Sequence, residues 1–520
     1  MNAAPKAPVS PKFYITTAID YVNASPHIGT AYEKIAADFI ARSRRLMGFD
    51  TRFLMGNDEH SVNVARAAAA RGLTPLAYCD GMEEQFRSVW QSLLISFDDF
   101  VRTTEERHAR AVGAIFAAIH GAGHIYKGKY EGYYCDSCEA FKQEKDLVDG
   151  RCPLHRLEPR WLVEENYFFA LSRFAPMLRE HIERHPEFVQ PEIRRNEVLS
   201  LLAQGLEDIS VSRSGVEWGI PLPIDAGHVV YVWFDALINY IAALGYPDDP
   251  DGLVQRYWPC DLHVIGKDIT RFHCIIWPAM LMSAGIALPR SVWAHGFVSV
   301  QGERMSKTLG NVIPPLDVVA RFGADACRYL FLREVPFDRD GDFSWATYTE
   351  RYNADLANDL GNLLARTLAM VQRYWDAEVP PLEALDPRDR PLLDVLERST
   401  AEYRQQVECF AIHAALAAVW STIQAANRYI ETMKPWELAK NPTERPRLGT
   451  VLRNLLEVLR HVSLMVYPAM PAKAVEMRRQ LGLPDDFSRL SYAEELVLAA
   501  RQWPRVQPGP GLFPRLEAKT

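Results

Sequence analysis

Residues 12–34 read KFYITTAIDYVNASPHIGTAYEK. KFYITTAI is a short apolar run of strand-forming residues. From His27 the period changes. HIGTAYEKIAADFIARSRRLMG places Ile28, Tyr32, Ile35, Phe39 and Leu46 on one helical face, and Gly48 ends it. A strand feeding straight into a helix predicts the first crossover of a parallel α/β sheet. It also predicts an anion site, because the N–H groups and positive end of the helix face the carboxyl edge of that sheet. Gly29 lets a ligand approach the backbone, and His27 can donate to a phosphate oxygen. Taken alone, a histidine at a helix start reads as readily as a structural residue.

Outward from this stretch, TRFLMG and EHSVNVARAAAAR repeat the strand–helix order. Residues 126–224 break it with short turns rich in Tyr, Cys, Pro, Arg and Trp. HVVYVWFDALINYIAAL and DLHVIGKDITRFHCIIWPAMLMSAG then restore it, each a β-rich run turning into a helix. The fold expected is a split, doubly wound, Rossmann-like parallel sheet in two halves, 1–125 and 225–310, around a connective insertion at 126–224. A linking region at 311–355 follows. Three-four spacing in LLARTLAMVQRYW, HAALAAVWSTIQAANRYIETM and GTVLRNLLEVLRHVSLMVYPAM predicts an α-helical bundle over 356–520. VQPGPGLFPRLEAKT, at the end, reads as a loose tail.

The chain has 520 residues, 48% hydrophobic and 24% charged, ordinary values for a water-soluble globular protein. No apolar run reaches the roughly 18 residues of a membrane span. MNAAPKAPVSPKF lacks the apolar core of a secretion signal. The expected location is the cytoplasm, away from membranes. A net charge of -8 excludes a wholly basic nucleic-acid coat but leaves room for a local basic face.

Eight cysteines are unevenly spread. Cys79, Cys260, Cys274, Cys327 and Cys409 are isolated and predict buried small hydrophobes. YYCDSCEAFKQEKDLVDGRCPLH instead holds Cys135, Cys138, Cys152 and His155 as C-x₂-C, a spacer and C-x₂-H. Two close pairs in a turn-rich segment can wrap one Zn²⁺ tetrahedrally, and four filled positions make the site structural. A last motif, GERMSKTLGN at 302–311, puts Arg304, Ser306, Lys307 and Thr308 on a loop that Met305 can pin to the body. A lysine with hydroxyls on a mobile loop suits stabilising a phosphate during transfer.

Together HIGT and RMSKT resemble the HIGH and KMSKS pair of class I aminoacyl-tRNA synthetases. The resemblance narrows to the methionyl-tRNA synthetase family through TTAIDYVNASPHIGTAYEK, FLMGNDEH, YVWFDALINY, HVIGKDITRFHCIIWPAM, HGFVSVQGERMSKTLGN, DLGNLLAR and NRYIETMKPWELAK, spread from about residue 13 to about residue 440. The resemblance implies ATP contacts at His27, Gly29, Thr30, Glu33, Gly266, Asp268, Val298, Ser306 and Lys307, with His27 and Lys307 at the phosphates as catalytic residues. It implies a methionine pocket of Ala18, Ile19, Tyr21, Asp58, Trp233, Tyr240, Ile269 and His273, with Asp58 near the ammonium and Tyr240 near the sulfur. It also implies Mg²⁺ accompanying ATP, a stem-contact role for 311–355, and anticodon contacts from Asn362, Arg366 and Trp436 on the helical domain.

The activity implied is methionine–tRNA ligation in two steps, with initiator and elongator methionine tRNAs as partners and a monomeric enzyme. The cysteine–histidine segment matches the family's single-knuckle insertion. The segment leaves no room for the large editing domain of the leucine, isoleucine and valine enzymes. At one position the chain departs from the family. Thr30 stands where a second histidine is usual; it keeps a donor but is shorter and never cationic. Thr30 supports the alternative of a non-catalytic or altered paralogue that binds tRNA or methionyl compounds.

Overall fold

Strand β1 (Lys12–Thr17) is buried along Phe13–Thr17, as expected of a strand covered on both faces. The computed structural model describes residues 10–137, 139–153, 156–305, 310–381, 386–497, 503 and 505–517. Around β1 lies a parallel sheet built with β2 (Asp20–Tyr21), β3 (Asp50–Asp58), β4 (Asp99–Arg102), β5 (Val189–Gln190), β6 (Leu262–Gly266) and β7 (Val292–His295). The lateral order is β4–β3–β1–β6–β7–β5, and β2 resumes the pairing along β3 beyond the end of β1. Helix α1 (Ile28–Leu46) carries the chain from β1 to β3. The second half enters on the opposite side of β1, as β6. That reversal of direction is the switch point at which open α/β sheets bind ligands.

The parallel α/β sheet and the helical C-terminal region both match the expectation. Two details do not follow from the sequence pattern. Strand Asp225–Val230, which ends in the HVV of HVVYVWF, pairs antiparallel with Ser212–Ser214 and Pro221–Leu222, so the second half joins the parallel sheet at β6 and not at this strand. And β5, inside 126–224, sits at the edge of the parallel sheet on β7. The rest of that segment centres on an antiparallel sheet of Ile125–Cys135, Ala140–Lys142, Arg160–Phe169 and Ile209–Ser210. Of the isolated cysteines, Cys79, Cys260, Cys274 and Cys327 are buried, but Cys409 is exposed at the end of a helix.

The helical region packs Asn362–Trp375, Arg390–Glu408, Ile412–Met433 and Arg445–Val466 around one apolar interior that runs on into the catalytic sheet. Where the two regions meet, charges are buried in a closed set. Asp38 of α1 pairs with Arg42 at 2.7 Å and with Arg328 at 2.7 Å. Arg328 also donates to the carbonyls of Leu93, Pro468 and Ala469. The tail is not loose. The Val506 amide donates to the Ala377 carbonyl at 2.9 Å, and Asn353 exchanges two hydrogen bonds with the backbone of Leu516. Trp503, Val506, Leu512 and Phe513 are buried, so apolar residues hidden between prolines and glycines hold it down. Among the described residues, no helix is long and apolar enough to cross a membrane.

Candidate active site

The carboxyl ends of β1, β3, β6 and β7 surround a cavity of about 410 Å³. Every described residue expected in the ATP and methionine sites lines it: His27, Gly29, Thr30, Glu33, Gly266, Asp268 and Val298 of the first, and Ala18, Ile19, Tyr21, Asp58, Trp233, Tyr240, Ile269 and His273 of the second. Ser306 and Lys307 lie outside the described residues; their neighbours Arg304 and Met305 line the same cavity.

His27 caps α1. Its Nδ1 accepts from the amides of Gly29 at 3.1 Å and Thr30 at 3.3 Å, which leaves the ring proton on Nε2. Thr30 closes the reciprocal half of the box: its Oγ1 accepts from the His27 amide at 3.0 Å and donates to the His27 carbonyl at 2.7 Å. Thr30 therefore spends its hydroxyl on the helix start. Gly29 leaves room for the cap, since a Cβ there would stand 3.0 Å from the His27 ring, tighter than ordinary contact. The Ile28 amide donates to the Ile313 carbonyl at 3.0 Å, tying the helix start to the segment that follows the RMSKT loop.

Behind the cap, Lys34 reaches Glu33 at 2.7 Å, Asp20 at 3.1 Å and the Ala18 carbonyl at 2.8 Å. His295, at the end of β7, meets Glu33 at 3.1 Å and the Gly296 carbonyl at 2.7 Å. Burial works against the Glu33 carboxylate, but Lys34 and His295 outweigh it and hold its pKa below the usual value. Burial wins at Asp20, pushed up to about 6 despite Lys34, and it also raises Asp268. Lys34, Asp20 and His295 were not singled out from the sequence. His295 was within reach, because it ends a parallel strand at the switch point.

On the other side, Trp233 stacks on Phe272 at 3.9 Å and 14°, and Tyr21 meets it edge-on at 5.7 Å. The His273 Nδ1–H donates to the Ile269 carbonyl at 3.1 Å, so Nε2 accepts from the Tyr240 hydroxyl at 2.6 Å. Burial lowers the His273 pKa to about 4, which keeps the ring neutral at pH 7. His273 lies on a π-helical turn, Phe272–Ile276. Asp58 ends β3. Burial, then Asp235, Glu139 and Glu59, push its carboxyl well above the usual range. Its Oδ1 and the Tyr21 hydroxyl are buried with no hydrogen-bond partner among the described residues. A buried acceptor beside aromatic faces fits a compact cation.

Of the four cysteine–histidine positions, Cys138 and His155 lie outside the described residues, while Cys135 and Cys152 are both buried. Asp149 and Gly150 take positive φ at the turn between the pairs. Among the described residues no cluster of three metal-ligating side chains forms. Glu139 docks this segment on the catalytic sheet, accepting from the Ser61 hydroxyl and the Asn63 amide, each at 2.8 Å. On the helical domain, Asn362 is exposed one turn from Arg366, which bridges to Glu431 at 2.7 Å. Trp436 is half-buried just beyond the same Glu431 helix.

The chain matches the family described as tRNA synthetases class I (M) over residues 13–160 and 143–368. Residues 379–505 match the anticodon binding domain of methionyl tRNA ligase. A methionine–tRNA ligase of Caldanaerobacter subterraneus subsp. tengcongensis is 44% identical over 98% of this chain and 79% of the relative. One from Synechocystis is 42% identical over 98% of both. Mycobacterium tuberculosis methionyl-tRNA synthetase in complex with methionyl-adenylate superposes with a TM-score of 0.94 at 41% identity, covering 97% of this chain and all of that one. Its apo form superposes at 0.87, with 38% identity over 98% and 99%.

Proposed function

The chain belongs to the methionyl-tRNA synthetase family of class I aminoacyl-tRNA synthetases, and from that premise we propose how its residues divide the work. It is a methionine–tRNA ligase. The methionine carboxylate attacks the α-phosphate of ATP, giving methionyl-adenylate and pyrophosphate. The terminal ribose hydroxyl of the tRNA then takes the methionyl group and AMP leaves. No side-chain nucleophile takes part; positioning and charge stabilisation carry both steps.

In this reading Asp58 Oδ1 receives the methionine ammonium, the observation that carries the assignment being a buried carboxylate oxygen at the cavity with no hydrogen-bond partner among the described residues. Trp233, Tyr21, Ala18, Ile19 and Ile269 enclose the side chain, and the Tyr240 oxygen, held by His273, lies beside the thioether. ATP occupies the His27 side. The His27 Nε2–H and the α1 amino end meet its phosphates with Lys307 and Ser306, while Glu33 and Asp268 face the ribose and base over Gly29, Gly266 and Val298. Mg²⁺ enters with the nucleotide, held mainly by phosphates, and neutralises their charge. Thr30 stays on its capping duty, so the residue that supported a non-catalytic paralogue has a local role instead. The TM-scores support a shape nearer the adenylate-bound than the free relative.

Amino-acid-dependent ATP–pyrophosphate exchange, with the twenty amino acids tried singly, tests this. Methionine alone should drive exchange; silence with methionine from folded protein refutes it.

Two finer assignments have their own tests. Cys135, Cys138, Cys152 and His155 hold one structural Zn²⁺, a reading supported by two buried thiols at a turn. Protein purified without chelator is expected to contain about one zinc per chain by elemental analysis. Asn362, Arg366 and Trp436 read the anticodon of initiator and elongator methionine tRNAs, with Trp436 stacking on an unpaired base. Trp436→Ala is expected to cut kcat/KM for tRNA charging by about 10- to 100-fold while pyrophosphate exchange stays near the parent value. Equal loss in both assays refutes it. In this reading the enzyme acts as a cytoplasmic monomer, which light scattering of the purified protein checks for its mass.

A further inference from the structure

Asp235 is fully buried, and both its oxygens are engaged. Oδ2 meets His60 Nδ1 at 2.8 Å, and Oδ1 meets His108 Nε2 at 2.5 Å. The three residues come from three elements. His60 follows β3 two residues after Asp58, His108 lies on helix Glu106–Gly121, and Asp235 lies two residues after Trp233 on the short helix Val232–Ala236. None of the three lines the cavity. We propose that His60, Asp235 and His108 form a buried positioning cluster that holds Asp58 and Trp233, the two walls of the amino-acid pocket, in register. The proposal rests on the reading of Asp58 as the partner of the methionine ammonium.

Among the described residues His108 Nδ1 is buried with no hydrogen-bond partner, and its Nε2 donates to Asp235. His60 donates from Nδ1 to the second oxygen, and its ring lies edge-on to Trp218 at 5.5 Å. His60 also stands two residues after Asp58, and its backbone amide favours the charged form of the Asp58 carboxyl. One residue is therefore joined to Asp58 along the chain and to the Trp233 helix through its side chain. Glu59 and Glu139, the other acids of the neighbourhood, have separate partners in Arg102, Thr104, Ser61 and Asn63. The Asp235 carboxylate links the two walls through these histidines. With the cluster intact, Asp58 Oδ1 and the face of Trp233 keep a fixed separation that fits an ammonium and a thioether chain together.

The test is pyrophosphate exchange with His60→Leu, His60→Asn and Asp58→Asn in the full-length protein. His60→Leu removes the donor and is expected to raise the methionine KM about tenfold while the ATP KM stays within about twofold. The Asn side chain puts an amide N–H where Nδ1–H stood, so His60→Asn should return the methionine KM to within about threefold of the parent. A merely structural residue would move both KM values or neither. An unchanged methionine KM in His60→Leu, an equal rise for ATP, or no rescue by Asn overturns the proposal. If His60→Leu does not fold, His108→Leu against His108→Gln, whose amide replaces Nε2–H, is judged by the same criteria. A methionine KM unmoved by Asp58→Asn overturns the ammonium reading and the proposal with it. A large Asp58→Asn effect with no His60 effect overturns the cluster alone.

Discussion

Asp58→Asn is expected to raise the KM for methionine by about a hundredfold or more, with the KM for ATP nearly unchanged. The substitution keeps the shape of the side chain and removes its charge. In the parent, Asp58 is buried among carboxylates, and its Oδ1 has no hydrogen-bond partner among the described residues. Bringing an ammonium there satisfies both charges at once, and losing one member of such a desolvated pair costs about 2–5 kcal/mol. The pH dependence follows from the raised pKa. A carboxyl raised in the folded state contributes stability that is full below its unfolded pKa, near 3.9, and that is lost as pH rises through the folded value. Methionine reverses this by favouring the charged form. Thermal stabilisation by saturating methionine should therefore grow as pH rises through that window in the parent, and stay flat in Asp58→Asn. Differential scanning fluorimetry with and without methionine checks the sign. A variant that keeps the parent's methionine KM would exclude Asp58 from ammonium binding.

Asp38→Ala is expected to destabilise the protein by about 3–5 kcal/mol, seen as a melting temperature lower by about 3–5 °C. Asp38 and Arg328 are fully exposure-free, so the alanine leaves Arg328 charged and buried beside Arg42. Burial opposes the Asp38 carboxylate, yet Arg42, Arg328 and the Ser96 hydroxyl hold its pKa far below the usual range. A depressed pKa contributes stability present above the unfolded value and lost as pH falls through the folded one. The parent should therefore lose this contribution only in strong acid, and Asp38→Ala should show no such acid loss from this site. Asp38→Leu combined with Arg328→Met removes both charges and should melt above either single variant, since apolar replacement of a whole pair is mild. A double variant no better than the singles would show that the two residues do not act as a pair.

The parts of this molecule that follow a period were legible in the sequence. β1 and α1 were readable because burial on both faces and a three-four repeat leave a plain pattern. The cavity residues were legible through a resemblance of motifs, for nothing in composition or spacing separates Trp233 or Tyr240 from core aromatics. Cross-chain pairings were hidden. His295 and Glu33 are far apart in sequence and meet only because β7 lies two strands from β1. His60, His108 and Asp235 carry no motif together; the fold alone makes them a cluster. At Thr30 the sequence showed a departure from the family's usual histidine, while the reciprocal cap that its hydroxyl closes with His27 emerges only in the fold. The tail was misread because Pro and Gly mask the spacing of Trp503, Val506, Leu512 and Phe513, which need no helix to be buried.

That tail has a practical meaning for anyone dividing the protein. Leu516 exchanges hydrogen bonds with Asn353, and Phe513 packs edge-on against Tyr352, at the point where the catalytic region gives way to the helices. The C-terminal stretch is thus a clasp returned to the middle of the chain. A catalytic fragment cut near residue 355 would lose the piece that covers its own last helix. A bulky fusion placed directly after Leu516 would press on the same seam.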